Sequence, residues 1–163
     1  MNKLVAYPAA ALALLASGSV FAQQTLIEDI NVSATVTAAC SDLTATDVDF
    51  GSAGQADADD DSTSTITVTC DNNTSYTVEL DYGMSSLGPG LRQVTGSGGE
   101  FMDYEIYQPG GFTTPWGMAA DGAQYDGLGN GAAQPLTANF RLHRTSGASP
   151  GTYTDLVGVT LTF

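Results

Sequence analysis

From Leu26 onward the apolar side chains of this chain fall on alternate positions in short runs, and Gly, Asn, Asp, Ser and Thr fill the intervals. A period of two is the repeat of a half-buried β-strand, whose side chains point by turns to a core and to water. The runs predict strands at 26–38, 44–50, 63–70, 75–82, 91–95, 101–107, 135–144 and 153–163. Between them, "DNNTS", "GPG", "GSGG", "QPGGFTTP" and "DGLGNGAAQP" carry the residues that tight turns need. The region 108–134 reads as one long loop with a short strand around Trp116. Helical spacing of apolar residues is nearly absent after residue 22, so the pattern predicts an all-β sandwich or barrel.

Two of the predicted strands raise the same question. In "GTYTDLVGVTLTF", Val157, Val159, Leu161 and Phe163 share one face, while Gly158, Thr160 and Thr162 share the other. No residue follows to pair the outer edge of this strand, and an open edge invites another chain. In "LIEDINVSATVTAAC", Leu26, Glu28, Ile30, Val32, Ala34 and Val36 make one face, and Asp29, Asn31, Ser33, Thr35 and Thr37 the other. Lying ahead of the first cysteine, this strand is free to pack in its own domain or in that of a neighbour.

Residues 1–22 change the picture by setting the compartment. Lys3, the apolar run "ALALLA" and the small residues of "SVFA" make a secretory signal peptide with cleavage after Ala22. The run falls short of the ~20 apolar residues a membrane span requires, so an exported chain without membrane insertion is expected. The roughly 141 residues that remain suit a single domain. In an oxidising compartment Cys40 and Cys70 favour a bridge, since two cysteines and the single His143 are too few for a zinc site.

All 18 acidic residues lie beyond the leader, opposed there only by Arg92, Arg141 and Arg144. Such a chain is a poor partner for nucleic acid or an anionic membrane surface. With Lys3 removed, no lysine is left to crosslink copies through isopeptide bonds.

Candidate chemistry is thin. "GASPG" at 147–151 matches the G-x-S-x-G elbow of serine hydrolases, with His143 close by. That elbow needs a strand before Ser149, a helix after it and a later histidine; here a strand pattern follows and no histidine does, so a turn is expected and no enzyme activity. Asp57, Asp59 and Asp61 alternate like the start of a calcium loop, but Ser62 stands where glycine belongs and Val68 where the twelfth-position carboxylate belongs. A solvated acidic loop is the better reading, with no metal and no cofactor. "GLGNG" at 127–131 lacks the strand-to-helix context of a phosphate loop. Trp116, Tyr104, Tyr107, Phe140 and Tyr153 are candidates for a sugar-binding platform, against the commoner role of core aromatics. Asn31, Asn72 and Asn73 head glycosylation-type triplets that matter only in a eukaryote.

One combination of segments is more specific than any motif. "NVSATVTAAC" precedes the first cysteine, "VDFG" follows at 48–51, and "ITVTCDNNTSYTVELDYG" spans 66–83. "YEIYQ" at 104–108 leads to "PWG" at 115–117, and "GTYTDLVGVTLTF" closes the series. In order and spacing these resemble the spore coat protein U domain, from which archaic chaperone-usher pilus subunits are also built.

The resemblance implies an incomplete immunoglobulin-like β-sandwich lacking its last strand, completed by a donor strand, with Cys40 bridged to Cys70. It implies a signal peptide at 1–22, a donor segment at 23–39 and the sandwich at 40–163. Ile30, Val32, Ala34 and Val36 would be the donor's inserting residues. Val157, Val159, Leu161 and Phe163 would be the groove edge, met first by a periplasmic chaperone and then by the next subunit. Implied partners are identical or related subunits, joined head-to-tail as an open filament, a periplasmic chaperone and an outer-membrane usher. The function implied is a structural subunit of an extracellular pilus for attachment and biofilm formation, in the shaft or a minor position because the length leaves no second, adhesive domain. The alternatives are a spore coat or envelope matrix protein and a secreted carbohydrate-binding module. Self-complementation, with the N-terminal strand folded into its own groove, is a further possibility.

Overall fold

A computed structural model describes residues 24–51, 59–143 and 148–163; the signal peptide, Asp57 and Arg144 lie outside them. Nine strands form among these residues: β1 (Cys40–Ala45), β2 (Asp60–Cys70), β3 (Ser75–Leu80), β4 (Arg92–Gly96), β5 (Phe101–Tyr107), β6 (Tyr125–Leu128), β7 (Ala133–His143), β8 (Tyr153–Thr154) and β9 (Val159–Thr162). Six make one sheet in the order β1-β2-β7-β5-β4-β8, and three make the other in the order β6-β3-β9. Every neighbouring pair is antiparallel. The fold is the all-β, open immunoglobulin-like sandwich that the alternation of apolar residues requires.

The inner face of each sheet is the apolar half of the sequence pattern. Ile66, Val68 and Cys70 of β2, Tyr76, Val78 and Leu80 of β3, Tyr104 and Ile106 of β5, and Leu136, Ala138 and Leu142 of β7 are buried together. Their polar neighbours on alternate positions face outward, which is what a two-layer fold demands of each strand. The Cys40–Cys70 disulfide joins the start of β1 to the end of β2, where the two residues are also register partners. Trp116 fills the centre, wholly buried, and its Nε1–H donates to the Val78 carbonyl at 2.9 Å.

Three predicted elements within 40–163 differ. The strand expected at 153–163 is two: β8 pairs with β4 in the larger sheet and β9 with β3 in the smaller, so the chain crosses from sheet to sheet at 155–158. Asp155 anchors the crossing, accepting the Tyr104 hydroxyl at 2.7 Å and the Ser85 amide at 3.0 Å. Gly83 makes room for it, since its φ of 81° favours glycine and a Cβ there would collide with the Asp155 carboxylate. The long loop 108–134 has no strand at Trp116; it contains a 3-10 turn at Ala119–Asp121 and then β6. The strand expected at 44–50 forms instead at Cys40–Ala45; the Thr46 amide still donates to the Thr65 carbonyl of β2, and after it serine hydroxyls of β2 take the carbonyls of Thr46 and Asp49.

The stretch 26–38 carries no strand. Val36–Phe163 forms one compact unit and the described residues 24–35 belong to another. Ile30, Val32 and Val36 are 88%, 91% and 94% exposed. Period two in a sequence states which residues can share a face, but strand structure also needs a backbone partner, and none among the described residues is bonded to this stretch.

Candidate functional site

The sandwich is covered unevenly. In the smaller sheet, Val78 and Leu80 of β3 are fully buried, yet their register partners on β9, Leu161 and Val159, are only half-buried. Beyond β9 no strand follows among the described residues, so its outer edge presents unpaired backbone groups. A groove of about 910 Å³, lined by residues of both sheets, reaches β9 at Val159, the first residue of that strand. Leu80, Ile66 and Leu142 form its floor, and Val94, Met102 and Phe140 rise from the larger sheet as half-buried side chains. Residues 152–159 make one wall.

The opposite wall is the segment 45–51. Val48 and Phe50 turn inward and are half-buried, while Asp47 and Asp49 are exposed. Its backbone is held by side chains more than by a ladder: Ser64 Oγ donates to the Thr46 carbonyl at 2.6 Å and Ser62 Oγ to the Asp49 carbonyl at 3.1 Å. The groove is therefore a trough with an apolar floor and mixed walls, bordered on one side by the start of β9 and on the other by an extended segment, a shape that suits an extended peptide. Of the predicted edge residues, Val157, Val159 and Leu161 line the core side and Phe163 is exposed.

A family model of the Spore Coat Protein U domain matches residues 26–160. The chain belongs to the Spore Coat Protein U domain family. Among solved structures, this family member is similar to a chain of the pre-assembly complex of the chaperone CsuC with the tip adhesion subunit CsuE, from archaic chaperone-usher Csu pili of Acinetobacter baumannii. The TM-score is 0.57 at 25% identity, over 79% of this chain and 40% of that one. A second similar structure is a chaperone–tip adhesin complex of CFA/I fimbriae biogenesis, with a TM-score of 0.48 and 12% identity over 74% of this chain and 41% of that one. The chain thus spans about two fifths of the length of the structures it matches. No curated protein matches it.

Of the remaining candidates of this spore coat U domain, Tyr104, Phe140, Ser149 and Tyr153 line the groove, whereas Asp59, Asp61 and His143 do not. Trp116 and Tyr104 are buried, so neither offers a face to a sugar, and the platform reading fails on its central residue. Burial, then the hydrogen bond to Asp155, pushes the Tyr104 hydroxyl well above the usual phenol range. Asp61 and Arg141, directly opposed across β2 and β7, form a two-pronged pair at 2.8 Å on both prongs. That hydrogen bond holds Asp61 below the usual carboxylate range. Asp59 faces His143 Nδ1 at 3.1 Å. These carboxylates of the acidic run engage cationic or imidazole groups of β7, as cross-strand pairs do.

Ser149 sits in an irregular segment where its carbonyl accepts the Tyr153 hydroxyl at 2.9 Å. Among the described residues, no strand-turn-helix setting of a nucleophile elbow surrounds Ser149.

Sequence reasoning missed Arg92, which it counted only as a charge. Arg92 is 2% exposed. Its Nε donates to the Asp81 carbonyl at 2.9 Å, and its Nη2 donates to the carbonyls of Leu80 at 3.1 Å and Trp116 at 2.9 Å. The guanidinium also lies 5.2 Å from the centre of the Tyr82 ring. Burial lowers its pKa, yet arginine starts so high that it stays charged. The available signal was its position: an arginine opening an apolar strand, "LRQVTG", in a chain with almost no other cations.

Proposed function

We propose that this protein is a structural subunit of an extracellular pilus, polymerised when the N-terminal segment of one copy enters the groove of the next. The observation that carries the reading is the unpaired outer edge of β9, whose first residue borders a groove with an apolar floor. A ligand pocket of that volume would be unremarkable, since small-molecule sites run to about 1,000 Å³. An open strand edge that starts at the trough favours a strand as occupant, because it supplies main-chain hydrogen bonds in register with side-chain pockets.

The donor is the segment at 23–39, and Ile30, Val32, Ala34 and Val36 are its inserting side chains. Each of the three large ones gains about 1.5–3 kcal/mol on leaving water. Main-chain bonds to β9 add to this. Release would uncover an incomplete core, so the link dissociates slowly although no covalent bond forms. Heterologous head-to-tail contacts of this kind propagate without closing.

The segments 1–22 as a cleaved leader and 40–163 as the accepting sandwich complete the domain plan. A periplasmic chaperone covers β9 through Val157, Val159, Leu161 and Phe163 before assembly, and an outer-membrane usher exports the growing fibre. The likeness to a chain from a chaperone–pilus subunit complex supports the chaperone as partner. Attachment and biofilm formation are the roles such a fibre serves. The family's description favours one second reading, the same polymer laid down as a spore coat or envelope matrix; genes for a chaperone and usher beside this one would favour the pilus.

The mature chain, concentrated and run unboiled in SDS without reductant, is expected to give a ladder of oligomers that collapses to monomer on boiling. A single monomer band at every concentration would overturn the reading.

A further inference from the structure

An apolar trough open to water tends to close, because rolling the two sheets together would remove Val94, Met102, Phe140, Val157 and Val159 from solvent. Something must oppose that movement in a subunit waiting for a strand. Arg92 stands at the place where opposition would act. It starts β4 in the larger sheet, and Val94, two residues on and so on the same face, lines the groove. Its guanidinium reaches the carbonyls of Leu80 and Asp81 at the end of β3 in the smaller sheet, and Leu80 is itself part of the groove floor. A third carbonyl, that of Trp116, is fixed to the same fork. The Trp116 indole bonds back to Val78 in the middle of β3.

We infer that Arg92 is a positioning residue that sets the spacing of the two sheets at one end of the groove, so that the groove is formed before the strand arrives. A planar fork with fixed donor directions holds its acceptors at one separation, which neither a flexible ammonium nor an apolar side chain of equal length does. The Tyr82 ring under the guanidinium restricts it further. A groove held open spares the incoming strand the work of separating the sheets, so preorganisation should appear in the rate of association.

This inference rests on the proposed function, and its test separates the two. The probe is a fluorescent synthetic peptide of residues 24–39, added to freshly isolated monomer of the full mature chain, with anisotropy giving both rate constants. Wild type, Arg92→Met and Arg92→Lys are compared at a temperature where circular dichroism shows all three folded. Arg92→Met is expected to slow association at least tenfold while the dissociation rate changes less than twofold, with Arg92→Lys between wild type and Met. Equal association rates in folded wild type and Arg92→Met overturn the role of Arg92, as does a loss carried wholly by faster dissociation. Failure of the wild type to bind the peptide overturns the proposed function instead. Should Arg92→Met not fold, Arg92→Lys carries the same comparison, and an unchanged association rate for it overturns the inference.

Discussion

Replacing Val32 by Asp in the mature chain is expected to abolish the SDS-resistant ladder. Val32 lies at the middle of the donor's apolar face and is 91% exposed in the subunit. The substitution forfeits about 1.5–3 kcal/mol of burial and adds the cost of placing a carboxylate in an apolar trough, another few kcal/mol. The link should weaken by about 4 kcal/mol or more, on the order of a thousandfold. Glu28→Ala, at the end of the same face, should leave the ladder intact, because a carboxylate there marks where insertion stops. A deletion of residues 23–38 should match Val32→Asp. The groove is untouched in all three variants, so chaperone binding should persist. Persistence of the ladder in Val32→Asp would show that another surface joins the copies.

Removing the disulfide with Cys40→Ser and Cys70→Ser should have the second large effect. The bridge closes a span of 30 residues. Closing such a loop stabilises by roughly 3–4 kcal/mol in the chain-entropy account, which for a domain of this size is a fall in Tm on the order of 10 °C. Two features sharpen the expectation here. Cys70 belongs to the buried core, and the neighbouring backbone is bonded across the bridge, with the Asp71 amide donating to the Ala39 carbonyl at 2.9 Å. A sandwich whose core is open along one side also has less hydrophobic stabilisation to spare. Thermal unfolding with and without reductant measures the effect, and a Tm unchanged by reduction would contradict it.

How far the sequence foretold this structure follows from what each signal encodes. β5 occupies the predicted 101–107, and β2, β3, β4 and β7 lie within a few residues of their predicted places, because strict alternation at a two-sided interface leaves little freedom. β6, "YDGL", was invisible: it has four residues, a glycine and no period. The single strand read at 153–163 became two because alternation persists through residues 155–158 while hydrogen-bonding partners change from β4 to β3. Alternation is local, and pairing is not. The same distinction explains 26–38, which has the pattern of a strand and no backbone partner among the described residues.

Near the groove, period two set Val157, Val159 and Leu161 on one face, and all three pack half-buried against the core. The opposite wall was half legible: the apolar positions Val48 and Phe50 were read as part of a strand, but the hydroxyls of Ser62 and Ser64 that replace its ladder are side-chain contacts no periodicity records. Arg92 was misjudged as no more than a charge, whereas the commoner reading of Trp116 as a core aromatic holds. Both sit at strand ends or in loops, where a single sequence gives no clue to depth, and both prove to be tied to the carbonyls of β3 or beside it.

Amide hydrogen exchange on polymer and monomer tests the central claim most directly. If a neighbour's segment fills the groove, the alternate amides of β9 that point away from β3, within Val159–Thr162, become protected in the polymer together with residues 30–36. The outer edge of β6, Tyr125–Leu128, serves as the control and should exchange alike in both. A polymer in which β9 exchanges as fast as in the monomer would contradict the account.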